Sequence, residues 1–318
     1  MTTKPRAKRN RTLTLTPEEY SRYAETLLVP ESPLTVEELE NRILHCDLLH
    51  ALELLPDSFA DLIIADPPYN LFKDFHGNTF SSMNNEKYMA YLESWVPALV
   101  RLLKPEGSLY LCGDWRCSAA DYIIMSRHLK VRNRITWQRE KGRGSLTNWK
   151  NGCEDIWFGT KGDAYYFNVD AVKMRRKVIA PYRQNGTPKD WEETEEGKFR
   201  LTHPSNFWDD ISVPYWSMPE NTDHPTQKPE KLIAKLILAS SKPGDLVFDP
   251  FLGSGTTAVT AKKLNRRYAG VEINEEYCCW AAKRLAQAET DSAIQGYSDG
   301  VFWERNSFAE QQLKKRKK

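Results

Sequence analysis

The chain is 318 residues long, 40% hydrophobic and 28% charged, with a formal net charge of +2. That length can bury a good-sized core as one large domain with an insertion or as two smaller ones, and the composition is that of an ordinary soluble protein. No apolar run approaches the roughly 18 residues a membrane span needs, and the basic opening from Met1 to Arg11 lacks the apolar stretch of a secretory signal, so a cytoplasmic protein with no membrane partner is expected.

Basic residues gather at 4–11, 132–150, 173–183 and 314–318. The two terminal clusters read as solvated tails. The internal cluster from 132 to 150 stands out because Trp137 and Trp149 lie within it. Six cysteines stand without a His at ligand spacing, which predicts reduced, mostly buried thiols and no structural metal.

In chain order, residues 42–46 form a short apolar run, predicted as a strand, followed by helical spacing over Leu48, Leu49, Leu52 and Leu55. Residues 60–65 are too short for a helix and end in a turn-forming Asp-Pro-Pro, the pattern of a buried strand. The spacing of Tyr88, Tyr91, Leu92, Trp95, Leu99 and Leu102 predicts one helix over 88–103. Strands at 108–112, 131–137 and 154–158 surround a helix ending at His128, with Asp114 as its cap. In the second half a helix over 229–240 opens with Pro in its first turn and Thr226 as a possible cap. A strand at 245–249, a helix at 256–264, a strand at 267–272 and a helix at 275–288 follow. Strands alternating with helices predict an α/β fold with a mainly parallel, doubly wound sheet covered on both faces. The chain thus divides into a basic arm (1–41), a first half (42–164), an irregular insertion (165–223), a second half (224–290) and a polar, basic tail (291–318). An insertion that long without periodicity points to a function of its own.

Asp66-Pro67-Pro68-Tyr69 directly follows a predicted strand, at the carboxyl edge where open α/β sheets place their ligands. An aromatic amino group such as adenine N6 is a poor nucleophile, because its lone pair is delocalised into the ring. A carboxylate and a fixed carbonyl, each accepting one N–H, would localise that pair and turn it toward an electrophile. Asp66 supplies the first acceptor. Consecutive prolines hold the Pro67 carbonyl as the second and add no N–H of their own. Tyr69 offers a face on which a base taken out of the helix can stack. The same four residues also suit a plain strand-end turn.

Asp249-Pro-Phe251-Leu-Gly253-Ser254-Gly255-Thr256 likewise runs from strand into helix. Its glycines let the backbone approach a ligand, and the helix N-terminus favours a carboxylate. It fails as a P-loop for want of a lysine and as a dinucleotide fingerprint on spacing. Glu272 ends the next strand, well placed for ribose hydroxyls. His224-Pro-Thr-Gln-Lys228-Pro229 opens a helix, and Lys228 could neutralise a carboxylate.

Together these segments resemble the permuted beta group of DNA amino-methyltransferases, in the order that group uses, over about residues 42–288. The resemblance implies a Rossmann-like methyltransferase sheet of seven strands with one antiparallel. It implies transfer of a methyl group from S-adenosylmethionine to N6 of adenine in double-stranded DNA, by base flipping and direct in-line transfer; N4 of cytosine is the alternative, and a non-catalytic DNA-binding protein on this fold a more distant one. Asp66, Pro67, Pro68 and Tyr69 would be catalytic. Asp47, Asp66, His224, Lys228, Asp249, Phe251, Gly253, Ser254, Gly255, Thr256, Glu272 and Ile273 would hold the cofactor; Asp47 could equally cap the helix after it. The insertion matches the position of a target-recognition segment. Arg139, Lys141, Arg143 and Lys150, in a glycine-containing stretch expected to be exposed, and Arg175, Arg176 and Arg183 are the candidate DNA contacts. Trp191, Trp208, Tyr215 and Trp216 are candidates for stacking or for the core of the insertion, and most of them are expected in its core. A homodimer and a cognate restriction endonuclease are the protein partners implied.

Overall fold

A computed structural model describes residues 7–75, 78–139, 146–178, 182–194 and 197–304. An eight-stranded sheet runs in the order Arg42–His45, Arg267–Glu272, Leu246–Asp249, Ala60–Ala65, Leu103–Gly113, Cys153–Thr160, Lys130–Gln138 and Phe207–Trp208. Neighbours are parallel except around Cys153–Thr160, which runs against both of its partners. The first seven strands are the sheet expected from the sequence. The two-residue eighth comes from the insertion.

The central strands are apolar on both faces because helices cover each one. Ile63, Leu109 and Phe248 face a cluster built with helices Leu48–Leu54, Asn85–Glu93, Val96–Leu102 and Ser118–His128. Their neighbours Leu62, Tyr110 and Val247 point the other way, onto helices Glu230–Ser240, Thr256–Lys263 and Glu275–Gln287. This alternation is the period of two of a strand.

Five expectations need correction. The helix over 88–103 is two helices, Asn85–Glu93 and Val96–Leu102. Pro97 has no N–H to continue the first helix and sits in the opening turn of the second. Thr226 caps nothing: the helix begins at Glu230 behind Pro229, with no side-chain cap.

The insertion has more order than its sequence announces. Met174–Lys177, Glu192–Thr194 and Gly197–Thr202 join Tyr297–Ser298 and Val301–Trp303 in a five-stranded sheet. The stretch after residue 291 is therefore no free tail through 304. Val301–Trp303 lies parallel to Met174–Lys177, and Ile294, Phe302 and Trp303 are buried. A strand of three residues is too short to show a period, so no pattern marks it in advance. Lys314 to Lys318 lie outside the described residues.

The basic arm is not a solvated tail either. Leu13 is buried against Tyr277 and Trp280, and Leu13 and Arg11 donate backbone N–H groups to the Asn221 and Trp216 carbonyls. Two short helices follow, Pro17–Ala24 and Val36–Leu39, each opened by a capping box (Thr16 with Glu19, Thr35 with Glu38).

The insertion's sheet meets the main domain through buried charge. Asp210 accepts from Lys235 at 2.8 Å and pairs with Lys231 at 2.7 Å, both from helix Glu230–Ser240. Lys231 also donates to the Trp303 carbonyl. Burial pushes the Lys235 ammonium down to about 8 despite Asp210. All six cysteines are free thiols. Among the described residues no helix is long and apolar enough to cross a membrane.

Candidate active site

Asp66 just after its strand, the strand ends Asp249 and Glu272, and the segment from His224 to Lys228 border a cavity of about 520 Å³. It lies outside the carboxyl edge of the sheet, as the chain order of an open α/β fold dictates. Its lining includes Asp47, Asp66, Pro67, Pro68, Tyr69, His224, Lys228, Asp249, Phe251, Gly253, Ser254, Thr256, Glu272 and Ile273.

Gly255, expected beside them, does not line the cavity. It holds φ +81°, and a Cβ there would stand 2.5 Å from the Ala281 Cβ. Gly255 is thus required for packing against helix Glu275–Gln287. Gly253, at φ +53°, is the glycine that faces the cavity.

At the mouth, Asp66 accepts from Lys228 Nζ at 2.7 and 2.6 Å and from the Tyr69 hydroxyl at 2.9 Å. Lys228 also donates to the Tyr69 oxygen at 2.9 Å. Burial raises the Asp66 carboxyl, Lys228 pulls it down and Glu154 pushes it up, for a net rise. Lys228 is driven up: burial opposes its charge, but Asp66 and Glu154 outweigh that penalty.

The floor is acidic. Burial pushes the Asp249 carboxyl up to about 7, although Thr257 and the Phe251 N–H donate to it. Glu272 is raised by burial as well, while its two oxygens accept from the N–H groups of Gly253 and Asn274, each at 2.8 Å. Among the described residues no cation pairs with either acid. Asp47 accepts from Leu49 N–H at 2.8 Å as the cap of its helix, and borders the cavity too. Ile273 is 51% exposed beside them.

Glu154 was missed. It is 3% exposed and accepts from the Tyr69 hydroxyl at 3.1 Å, lies 3.3 Å from Lys228 Nζ, and pairs with Arg139. Because Cys153–Thr160 is antiparallel, its first residues reach the edge where the parallel strands deliver their last. Looking only at the ends of strands passes over it. Two acids, Glu154 and Asp155, opening a strand that then turns apolar were the available signal.

Arg139 is therefore no exposed loop residue: its guanidinium lines the cavity on Glu154. Lys141 and Arg143 lie outside the described residues, and Lys150 is exposed. The insertion arginines sit apart from the cavity. Arg175 stacks over Phe199 and Trp303 at 4.6 and 4.9 Å, Arg176 is 3.9 Å from Asp209, and Arg183 lies over Trp191 and 3.7 Å from Glu193. Trp191 and Trp208 are buried, Tyr215 and Trp216 half exposed.

The family model of the N6/N4 DNA methylases matches residues 60–283. The chain is 35% identical over 262 residues to the type II methyltransferase M.HpaI of Haemophilus parainfluenzae, covering 81% of this chain and 77% of that one. It is 34% identical over 259 residues to the DNA adenine methyltransferase YhdJ of Escherichia coli K12, covering 79% and 84%. Of solved structures, the PvuII DNA methyltransferase (cytosine-N4-specific) shares the fold with a TM-score of 0.58 at 18% identity, covering 81% of this chain and 89% of that one. The M1.HpyAVI–SAM complex shares it at 0.51 and 23%, covering 76% and 98%. With a family model matched over most of its length and relatives this similar across most of both proteins, the chain belongs to the DNA methylase family, as an amino-methyltransferase of the restriction-modification type.

Proposed function

We propose that this enzyme transfers a methyl group from S-adenosylmethionine to N6 of adenine in double-stranded DNA. One observation carries the reading: Asp66 and Tyr69 stand at the mouth of a cavity whose floor holds two acids, Asp249 and Glu272, that pair with no cation among the described residues. S-adenosylmethionine fits that floor because it bears a sulfonium and an ammonium charge. Asp249 and Glu272 would balance that charge, and Glu272 would take ribose hydroxyls with its remaining lone pairs. The N-terminus of helix Thr256–Lys263 would face the carboxylate, and Ile273 would cover the adenine ring.

The cofactor supplies an electrophilic methyl group when bound. The residues of this chain do the rest. Tyr69 stacks the base after it leaves the duplex, a step costing a few kcal/mol of lost pairing and stacking. Asp66 and the Pro67 carbonyl each accept one amino N–H and aim the nitrogen. Catalysis is then positioning and electrostatics, with no covalent bond between protein and base.

Adenine is favoured over cytosine because the Asp form of the motif resembles the N6-adenine enzymes, and because YhdJ is named a DNA adenine methyltransferase. Lys150 and the insertion arginines Arg175, Arg176 and Arg183 are proposed to meet the DNA backbone. A homodimer and an endonuclease reading the same site complete the proposal.

The test is labelled S-adenosylmethionine with unmethylated DNA, followed by nucleoside mass spectrometry. Labelled N6-methyladenine is the expected product. Labelled N4-methylcytosine would correct the base, and no label in DNA despite cofactor binding would refute the reading. Asp66→Ala abolishes transfer and leaves cofactor binding measurable; near-normal turnover in that variant would remove Asp66 from the chemistry.

A further inference from the structure

Counting donors and acceptors around Asp66 exposes a conflict. In the base-free site, both Asp66 oxygens accept from Lys228, and one also accepts from the Tyr69 hydroxyl. A base amine must enter that arrangement as a further donor. Tyr69 has a single hydroxyl proton and two carboxylates within reach, Asp66 at 2.9 Å and Glu154 at 3.1 Å. It can serve only one at a time. Lys228 has three N–H groups, which match Asp66, the Tyr69 oxygen and Glu154 at 3.3 Å.

We propose that Glu154 is a positioning residue for methyl transfer, accepting hydrogen bonds from the Tyr69 hydroxyl and from one Lys228 N–H so that Asp66 is left to the amino group of the base. The proposal rests on the reading of Asp66 given above. With the base in place, the Tyr69 O–H turns from Asp66 to Glu154, and the base N–H occupies the vacated lone pair. The amino nitrogen then forms its bond to the methyl carbon as the carbon–sulfur bond breaks, its electron pair leaving on sulfur. Nitrogen sheds the surplus proton to Asp66. Lys228 remains an ammonium throughout.

The charges around the two acids fit this division of labour. Asp66 faces Lys228, Glu154, Tyr69, Cys112 from Leu103–Gly113 and Asp249 from Leu246–Asp249. Glu154 faces Lys228, Tyr69 and, in addition, Arg139. Burial pushes Glu154 up, but its two cations outweigh that and hold it below the usual carboxylate range. Asp66, with one cation to share, ends above its usual value. The better-compensated acid stays an acceptor, and the other can take a proton.

The test is a double-mutant cycle on single-turnover methylation with the full chain, DNA and saturating S-adenosylmethionine. Glu154→Gln should slow transfer roughly ten- to a hundredfold, the factor expected for a hydrogen bond to a charged group. Its affinity for S-adenosylmethionine, measured by calorimetry, should stay near the parental value. In a Tyr69→Phe background the competing hydroxyl is gone, so Glu154→Gln should cost much less. Equal losses in both backgrounds, or a parental rate in Glu154→Gln, would overturn the proposal. Should Glu154→Gln not fold, Glu154→Asp keeps the charge for Arg139 but withdraws the carboxylate from Tyr69; it should be slowed as well, and a parental rate would again overturn the idea. If the parent enzyme labels no amino group in DNA, the functional reading itself has failed; if it does and the cycle is additive, only the role of Glu154 falls.

Discussion

Replacing Lys228 with Met tests whether the ion cluster at the cavity mouth is held as described. Lys228 is 8% exposed and lies 2.6 Å from Asp66 and 3.3 Å from Glu154, so its loss leaves the half-buried Asp66 without its cation and the buried Glu154 with Arg139 alone. Breaking a buried pair by removing one partner costs about 3–5 kcal/mol. For a chain of this size that is a fall on the order of 10 °C in melting temperature. The loss should depend on pH. Without Lys228, the Asp66 carboxyl rises further above its unfolded value, and the folded protein binds a proton that the unfolded chain has already released. Stability contributed by that proton is present at acid pH and is lost as pH climbs from the ordinary carboxylate range through the raised value. Melting followed by calorimetry or near-ultraviolet dichroism at about pH 5 and about pH 8 should therefore show the larger deficit at the higher pH. Equal deficits at both, or a parental melting temperature, would show that Lys228 is not what holds the two acids.

Asp210→Asn should give the opposite pH dependence. It leaves Lys231 and Lys235 buried without their acid, which pushes Lys235, now at about 8, further below its unfolded value. The unfolded chain then holds the extra proton, so the variant regains stability as pH rises above that value, measurable as a narrowing gap in melting temperature. Gly255→Ala meets both a left-handed backbone and the Ala281 Cβ at 2.5 Å; strain and overpacking together should cost about 2–5 kcal/mol by denaturant titration. Glu272→Ala removes the acceptor of the Gly253 and Asn274 N–H groups and the expected ribose contact; binding of S-adenosylmethionine should weaken by roughly tenfold or more, read by calorimetry.

Much of the central sheet was legible because its inner parallel strands are compact apolar runs ending in turns, and most of the helices between them keep a clean period. Asp66, Asp249 and Glu272 could be placed for the same reason: each closes a parallel strand, and closing a parallel strand means standing at the ligand edge. What escaped has a common cause. Glu154 opens its strand instead of closing it, and only the reversed direction of that strand brings it to the same edge. Lys231 and Lys235 are lysines of a helix, with nothing in their spacing to mark them as buried; their burial depends on Asp210 and on a sheet contributed from both sides of the methyltransferase core. Gly253 and Gly255 look alike in sequence, yet one faces the cavity and the other a neighbouring helix, a difference that follows from packing alone. Tertiary partners decided every one of these cases.

The pairing of Val301–Trp303 with Met174–Lys177 has a consequence for how the protein is made. The strand Met174–Lys177 emerges from the ribosome long before its parallel neighbour, and until then it presents an unpaired edge to the cell. The sheet beside the methyltransferase core can close only after the whole second half (224–290) has been synthesised, a long-range contact that slows folding. Chains cut short before residue 301 would carry every residue of the cavity but an open strand edge, and would be prone to aggregation or proteolysis.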